Sequence, residues 1–165
     1  MTKFSRAALG AAAVAICLSS TAPAASGACW TQADVSAAKV RQLQTKLMVA
    51  ALRCRASGVD ILSSYNRFIR AKRSEITAAN DRLKAHFRAA HASTGERDYD
   101  RYTTALANHY GGARTSENSC AEAEDLAQTA DARGSLIAVA EHDVSSAKLP
   151  SGRCSGRDPV LLAAD

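Results

Sequence analysis

The sequence predicts an all-α fold: an antiparallel up-down-up-down four-helix bundle stapled by two disulfides, Cys54 with Cys120 and Cys29 with Cys154. Three observations predict it. Apolar residues recur at helical spacing through four segments, strand-like alternation of useful length is absent, and four cysteines fall near the predicted helix ends. The connections are a few residues long, which favours antiparallel neighbours.

Residues 1–28 read as a cleaved export signal. Lys3 and Arg6 form a short basic region, and 7–18 is an unbroken run of small and apolar residues. That run is too short for a bilayer, which takes about 20 residues. Cleavage is expected after Ala24 or Ala28, so Cys17 leaves with the signal. The net charge of +5 then drops, because Lys3 and Arg6 go too. Ser26-Gly27-Ala28-Cys29 lacks the leucine that usually stands three residues before a lipidated cysteine, and lipidating Cys29 would leave an odd number of mature cysteines. The expected location is periplasmic or secreted, with one helical domain over 29–147 and a tail over 148–165 pinned through Cys154.

The first helix opens at Thr31-Gln32-Ala33-Asp34. Thr31 can cap it and Asp34 can return the bond, with Trp30 and Val35 placed as a hydrophobic staple. Val35, Val40, Leu43, Leu47, Ala50 and Cys54 carry the apolar face, and Ser57-Gly58 stops it. A second helix starts at Asp60 or Ser63 and runs to about Ala92. Tyr65, Phe68, Ile69, Ile76, Ala79, Leu83 and Phe87 line its inner side, and Gly95 marks its end. A shorter third helix, 98–110, places Tyr99, Tyr102, Leu106 and Tyr110 on one side and stops at Gly111-Gly112. The fourth begins near Ser116, with Glu117 and Glu122 at the positive end of its dipole, and continues through Leu126, Ala130, Ile137 and Val144. Its small face, Ala123, Ala127, Ala130 and Gly134, invites a close neighbour. Leu149-Pro150-Ser151-Gly152 ends it, leaving a tail held only through Cys154.

Four cysteines allow three pairings. Cys29 and Cys54 bracket the first helix and lie roughly 37 Å apart at about 1.5 Å per residue, whereas a disulfide needs Cα atoms within about 7 Å. Excluding that pair excludes its complement, Cys120 with Cys154. The alternating bundle then places Cys54 beside Cys120 at one end and Cys29 beside Cys154 at the other. A zinc site would present close pairs such as C-x2-C, and none occurs. Arg53 and Arg55 would lower the pKa of a free Cys54 thiol, but export favours pairing.

Charge is unevenly distributed. Residues 35–91 hold twelve Lys or Arg against Asp60, Glu75 and Asp81, while 92–147 hold four Arg against ten acids. Arg67, Arg70, Arg73, Lys84 and Arg88 share a stripe on the second helix. Part of it complements Glu122, Glu124, Asp125 and Asp131 of the fourth helix. The rest is a candidate surface for an anionic envelope component or acidic protein. Lys72 falls near the apolar face, where it snorkels or meets an acid. Nucleic acid is not an expected partner, because no recognition module is present.

No catalytic, cofactor-binding or metal-ligating residue is assigned, and no cofactor is implied. His86 and His91 are five apart and diverge on a helix, unlike the four-apart pair of H-E-x-x-H. His109, at a helix end, suits a capping cation. Glu141, His142 and Asp143 point in three directions. Nucleophile elbows, phosphate loops, dinucleotide fingerprints and haem-attachment motifs are all missing. Ser63-Ser64 and Ser145-Ser146 read as cap or turn residues. Trp30 and the four tyrosines are core residues before they are a binding platform.

The segments 43–55 (LQTKLMVAALRCR) and 103–108 (TTALAN) resemble those of small exported helical bacterial proteins of unassigned activity. That resemblance carries no functional residue with it. The expected function is a binding or structural module of the cell envelope. The alternatives are a small envelope enzyme using a histidine-acid site, or a homo-oligomeric scaffold built on the face around Gly134.

Overall fold

The computed structural model describes residues 29–132 and 134–154; the expected signal segment and the residues after Cys154 lie outside them. Among the described residues there are six helices: α1 (Gln32–Ala56), α2 (Leu62–Ala71), α3 (Arg73–Ala90), α4 (Gly95–Gly111), α5 (Glu117–Ala132) and α6 (Leu136–Asp143). No strand forms among them. One isolated parallel bridge joins Trp30 to Arg153. The chain is all-α, with disulfides Cys54–Cys120 and Cys29–Cys154.

α1 begins as the sequence dictates. Thr31 Oγ1 accepts from the Asp34 amide at 3.2 Å, and Asp34 Oδ2 accepts from the Thr31 amide at 3.1 Å, closing a capping box. The helix ends at Ser57, and Gly58 follows in the left-handed region at φ 86°, where a side chain would be strained. Its apolar positions are not confined to one stripe. Val35, Ala38, Val40, Leu43, Leu47, Ala51 and Cys54 are all buried, and α1 packs against each of the other five helices. Besides Asp34, two of its polar side chains are buried with partners. Thr45 donates back to the Arg41 carbonyl, and Gln42 donates to the Tyr110 hydroxyl while accepting from the Lys148 amide.

Two of the four expected rods are broken. The second predicted helix divides at Lys72 into α2 and α3, and the fourth divides between Ala132 and Leu136 into α5 and α6. The two breaks face each other. Lys72, only 7% exposed, donates from Nζ to the Gly134 carbonyl at 3.1 Å, and Glu75 Oε2 accepts from the Leu136 amide at 2.7 Å. Side chains beside the first break thus satisfy backbone groups left orphaned at the second. Gly134 is a local signal for the second break, since glycine weakens a helix interior by roughly 1 kcal/mol. Lys72 is a good helix former, and its departure from helical geometry follows from its tertiary partner.

The third predicted helix starts earlier than expected, at Gly95, and α3 ends at Ala90. Gly95 permits a close crossing. A Cβ there would lie 2.7 Å from Arg88 Cα and 2.8 Å from the Phe87 carbonyl oxygen. At α5, Ser116 and Ser119 cap reciprocally, each hydroxyl accepting from the other's amide.

A large apolar core joins α1 to α3, α4 and α6. A smaller one, containing Ala51, Ile61 and Ala123, surrounds the buried Cys54–Cys120 bond. The small face of the fourth predicted helix is consumed inside the chain: Ala123, Ala127 and Ala130 are buried, while Gly134 is exposed. The segment 148–154 is held by more than Cys154. Trp30 donates its amide to the Gly152 carbonyl, Cys154 donates to the Trp30 carbonyl, and Trp30 Nε1 donates to Ser151 Oγ at 3.0 Å.

Candidate functional site

Pinned in this way, the segment 148–151 runs beside α3 and α4 and forms one wall of a cleft of about 660 Å³. α4 supplies Asp98, Arg101, Tyr102, Ala105, Leu106 and His109, which the helical period gathers onto one face. From α3 come His86, Phe87 and Ala90, with His91 just after its end, and from the wall Lys148, Leu149, Pro150 and Ser151. Trp30, 1% exposed, reaches the cleft from the residue before the α1 cap.

The floor is aromatic. The Trp30 ring lies 4.1 Å from that of His86, 5.7 Å edge-on to Phe87 and 6.0 Å from Tyr102. Phe87 and Tyr102 are 5.5 Å apart. These separations suit offset and edge-to-face aromatic contacts, which add to burial. Burial also pushes the Tyr102 hydroxyl pKa well up.

Behind the floor, Asp34 gathers a polar knot. Its Oδ1 accepts from Arg82 Nε at 2.6 Å, and its Oδ2 accepts from Thr31 Oγ1 at 2.7 Å and lies 3.4 Å from His86 Nδ1. Burial pushes the Asp34 carboxyl up, but the hydrogen bonds from Thr31 and Arg82 outweigh it and hold the group below its ordinary range. For His86 burial dominates. It lowers the pKa against the opposing pull of Asp34, so the imidazole is neutral near pH 7.

The two ends of the cleft differ in charge. At the α3–α4 corner, Asp98 accepts from Thr94 Oγ1 at 2.7 Å and lies 3.3 Å from Arg101 and 3.7 Å from His91. The Thr94 hydrogen bond, more than the nearby cations, keeps the Asp98 carboxyl below its ordinary range. At the other end stand His109 and Lys148, both exposed, and Asp98 is the only carboxylate among the described lining residues.

The histidines that diverge in sequence converge here. His86, His91 and His109 line a single cleft because α3 and α4 lie side by side, although 86 and 91 diverge along the chain. His86 and His91 each also meet a carboxylate. The signal available in the sequence was the period of α4, where 98, 101, 102, 105 and 109 form a stripe beside the buried one.

The basic stripe is distributed differently. Arg67 pairs with Asp131 of α5 at 3.0 Å, Arg88 pairs with Glu96, and Lys84 Nζ lies 5.7 Å over the Tyr99 ring. Arg70 and Arg73 are exposed and border a shallow hollow with Asp81. The break at Lys72 divides the stripe between α2 and α3. Ser64 donates to Glu124, so α2 and acidic α5 complement one another. Glu141 accepts from Ser36, and Asp143 pairs with Lys46 at 2.9 Å.

Among the described residues, no group of three or more His, Cys, Asp or Glu is arranged to hold a metal ion, and no helix is long and apolar enough to cross a membrane. Comparison with protein-family models, with curated proteins and with solved structures finds no match to this chain.

Proposed function

We propose that the chain is an exported binding module of the cell envelope that holds a small ligand in the cleft between α3, α4 and the segment 148–151. One observation carries this reading: three separate parts of the chain enclose an apolar cleft whose third wall is secured by a disulfide. Its volume, about 660 Å³, falls within the range of roughly 300–1,000 Å³ typical of small-molecule sites. An apolar lining with a few convergent polar groups is the usual composition of such sites. Export is supported by the signal-like segment 1–28 and by two disulfides, which persist in oxidising compartments.

Trp30 provides the assay. It is the single tryptophan of the chain and lines the cleft, so its emission reports occupancy. Titration with 1-anilinonaphthalene-8-sulfonate should saturate at one equivalent and quench Trp30. Ala105→Phe, which fills the cleft from an exposed helix position, should weaken uptake by about tenfold or more, a loss of roughly 1.4 kcal/mol. Equal uptake by that variant would place the site elsewhere.

A second reading makes the same cleft a reaction site, and the Asp34–His86 pair favours it. A neutral imidazole oriented by a carboxylate is the arrangement of a general base. It predicts turnover of small chromogenic esters that His86→Gln abolishes. Turnover unchanged in that variant removes the reading.

A further inference from the structure

We infer that the ligand is an amphipathic monoanion, a carboxylate with an extended apolar body, whose head lies at the Lys148–His109 end of the cleft; this rests on the cleft reading above. Charge is balanced at one end of the groove and not at the other. At the α3–α4 corner the cation of Arg101 already faces Asp98 at 3.3 Å, and His91 lies 3.7 Å from the same carboxylate. That end is compensated within the chain. Eleven residues further along α4, about 16 Å at helical rise, His109 and Lys148 border the cleft with no acidic residue among the described lining. One ammonium and one imidazole match a singly charged head, which each can meet with a charge-assisted or neutral hydrogen bond.

Between the two ends the lining is apolar. Tyr102, Ala105 and Leu106 of α4 face Leu149 and Pro150 of the opposite wall. An extended chain lying along α4 would bury its length there and leave its polar group at Lys148, whereas a compact polar ligand would leave that strip unused. A cationic amphiphile would set like charges together at Lys148.

The test uses the disulfide-bonded protein and Trp30 emission, with dodecanoate, dodecanol and dodecylammonium as probes. Dodecanoate should bind about tenfold or more tightly than dodecanol, and dodecylammonium more weakly than either. Lys148→Gln, at an exposed position, should abolish the preference for dodecanoate over dodecanol. Equal affinity for dodecanoate and dodecanol, or a preference for dodecylammonium, overturns the inference while the cleft reading stands. Failure of all three probes to perturb Trp30 overturns both. A preference for dodecanoate that survives in Lys148→Gln overturns the assignment of the head to that end.

Discussion

Lys72 Nζ donates to the carbonyl of Gly134 at 3.1 Å, so the residue at which one long helix breaks is bonded to the residue at which another breaks. The bond is largely withdrawn from water, since Lys72 is buried, and Glu75 joins it by capping α6 through the Leu136 amide. A hydrogen bond from a charged donor contributes about 1.5–3 kcal/mol, and the exposure of Gly134 puts this one at the low end. Lys72→Met, which keeps the stem and removes the charge, should therefore destabilise the protein by about that amount. Urea unfolding would measure it, and an unchanged midpoint would show that the junction does not depend on the ammonium.

The two disulfides should reduce in a fixed order. Cys54 and Cys120 are 2% and 0% exposed within an apolar cluster, whereas Cys29 is exposed at the chain surface. Access to the attacking thiolate differs accordingly. Limiting dithiothreitol followed by alkylation should label Cys29 and Cys154 first, and the partly reduced protein should lose ligand affinity before it unfolds, because segment 148–151 is then held only by hydrogen bonds and the packing of Leu149. Labelling of Cys54 and Cys120 first would contradict this. Removing Cys54–Cys120 altogether should cost about 2–5 kcal/mol.

Gly95→Ala should lower stability by about 1–3 kcal/mol through overpacking, although a glycine-to-alanine change in an unstrained helix usually raises it. The added Cβ would lie under 3 Å from the backbone of Arg88 and Phe87. Because those residues carry α3 into the cleft, the substitution should also weaken ligand binding. A rise in thermal midpoint would show that α3 yields to the methyl group.

Stability should fall with acid in two stages. Burial depresses the His86 pKa, so the unfolded chain binds a proton first and stability declines as pH drops below about 6.5. Asp34 is also depressed; its contribution is complete above about pH 4 and is lost as pH falls through its folded value. His86→Phe should remove the first stage and keep the second. Stability that stays level in the native protein from pH 7 to 5 would refute the assignment.

Charge reversal at Arg70 and Arg73 separates the cleft from the basic stripe. Both side chains lie on the exposed hollow beside Asp81 and are absent from the described lining of the cleft. Ligand affinity in Arg70→Glu/Arg73→Glu should stay within about twofold of the native value. A large loss would assign binding to the stripe.

Helical identity, the α1 cap and its glycine stop were legible in the sequence because each rests on short-range geometry, and the cysteine pairings followed once helix rise excluded Cys29 with Cys54 and an alternating topology was assumed. Thr31 and Asp34 are three residues apart, and helix rise alone separates Cys29 from Cys54. The helix breaks and the cleft were not. At Lys72, where the second predicted helix divides, the side chain meets a carbonyl from 62 residues away. His86 and His109 line one cleft because α3 and α4 lie side by side, with Gly95 close against the backbone of Arg88. Local periodicity determines which residues form helices and which faces they bury. Where those helices break, and what chemistry their outer faces bring together, depends on the partners that packing supplies.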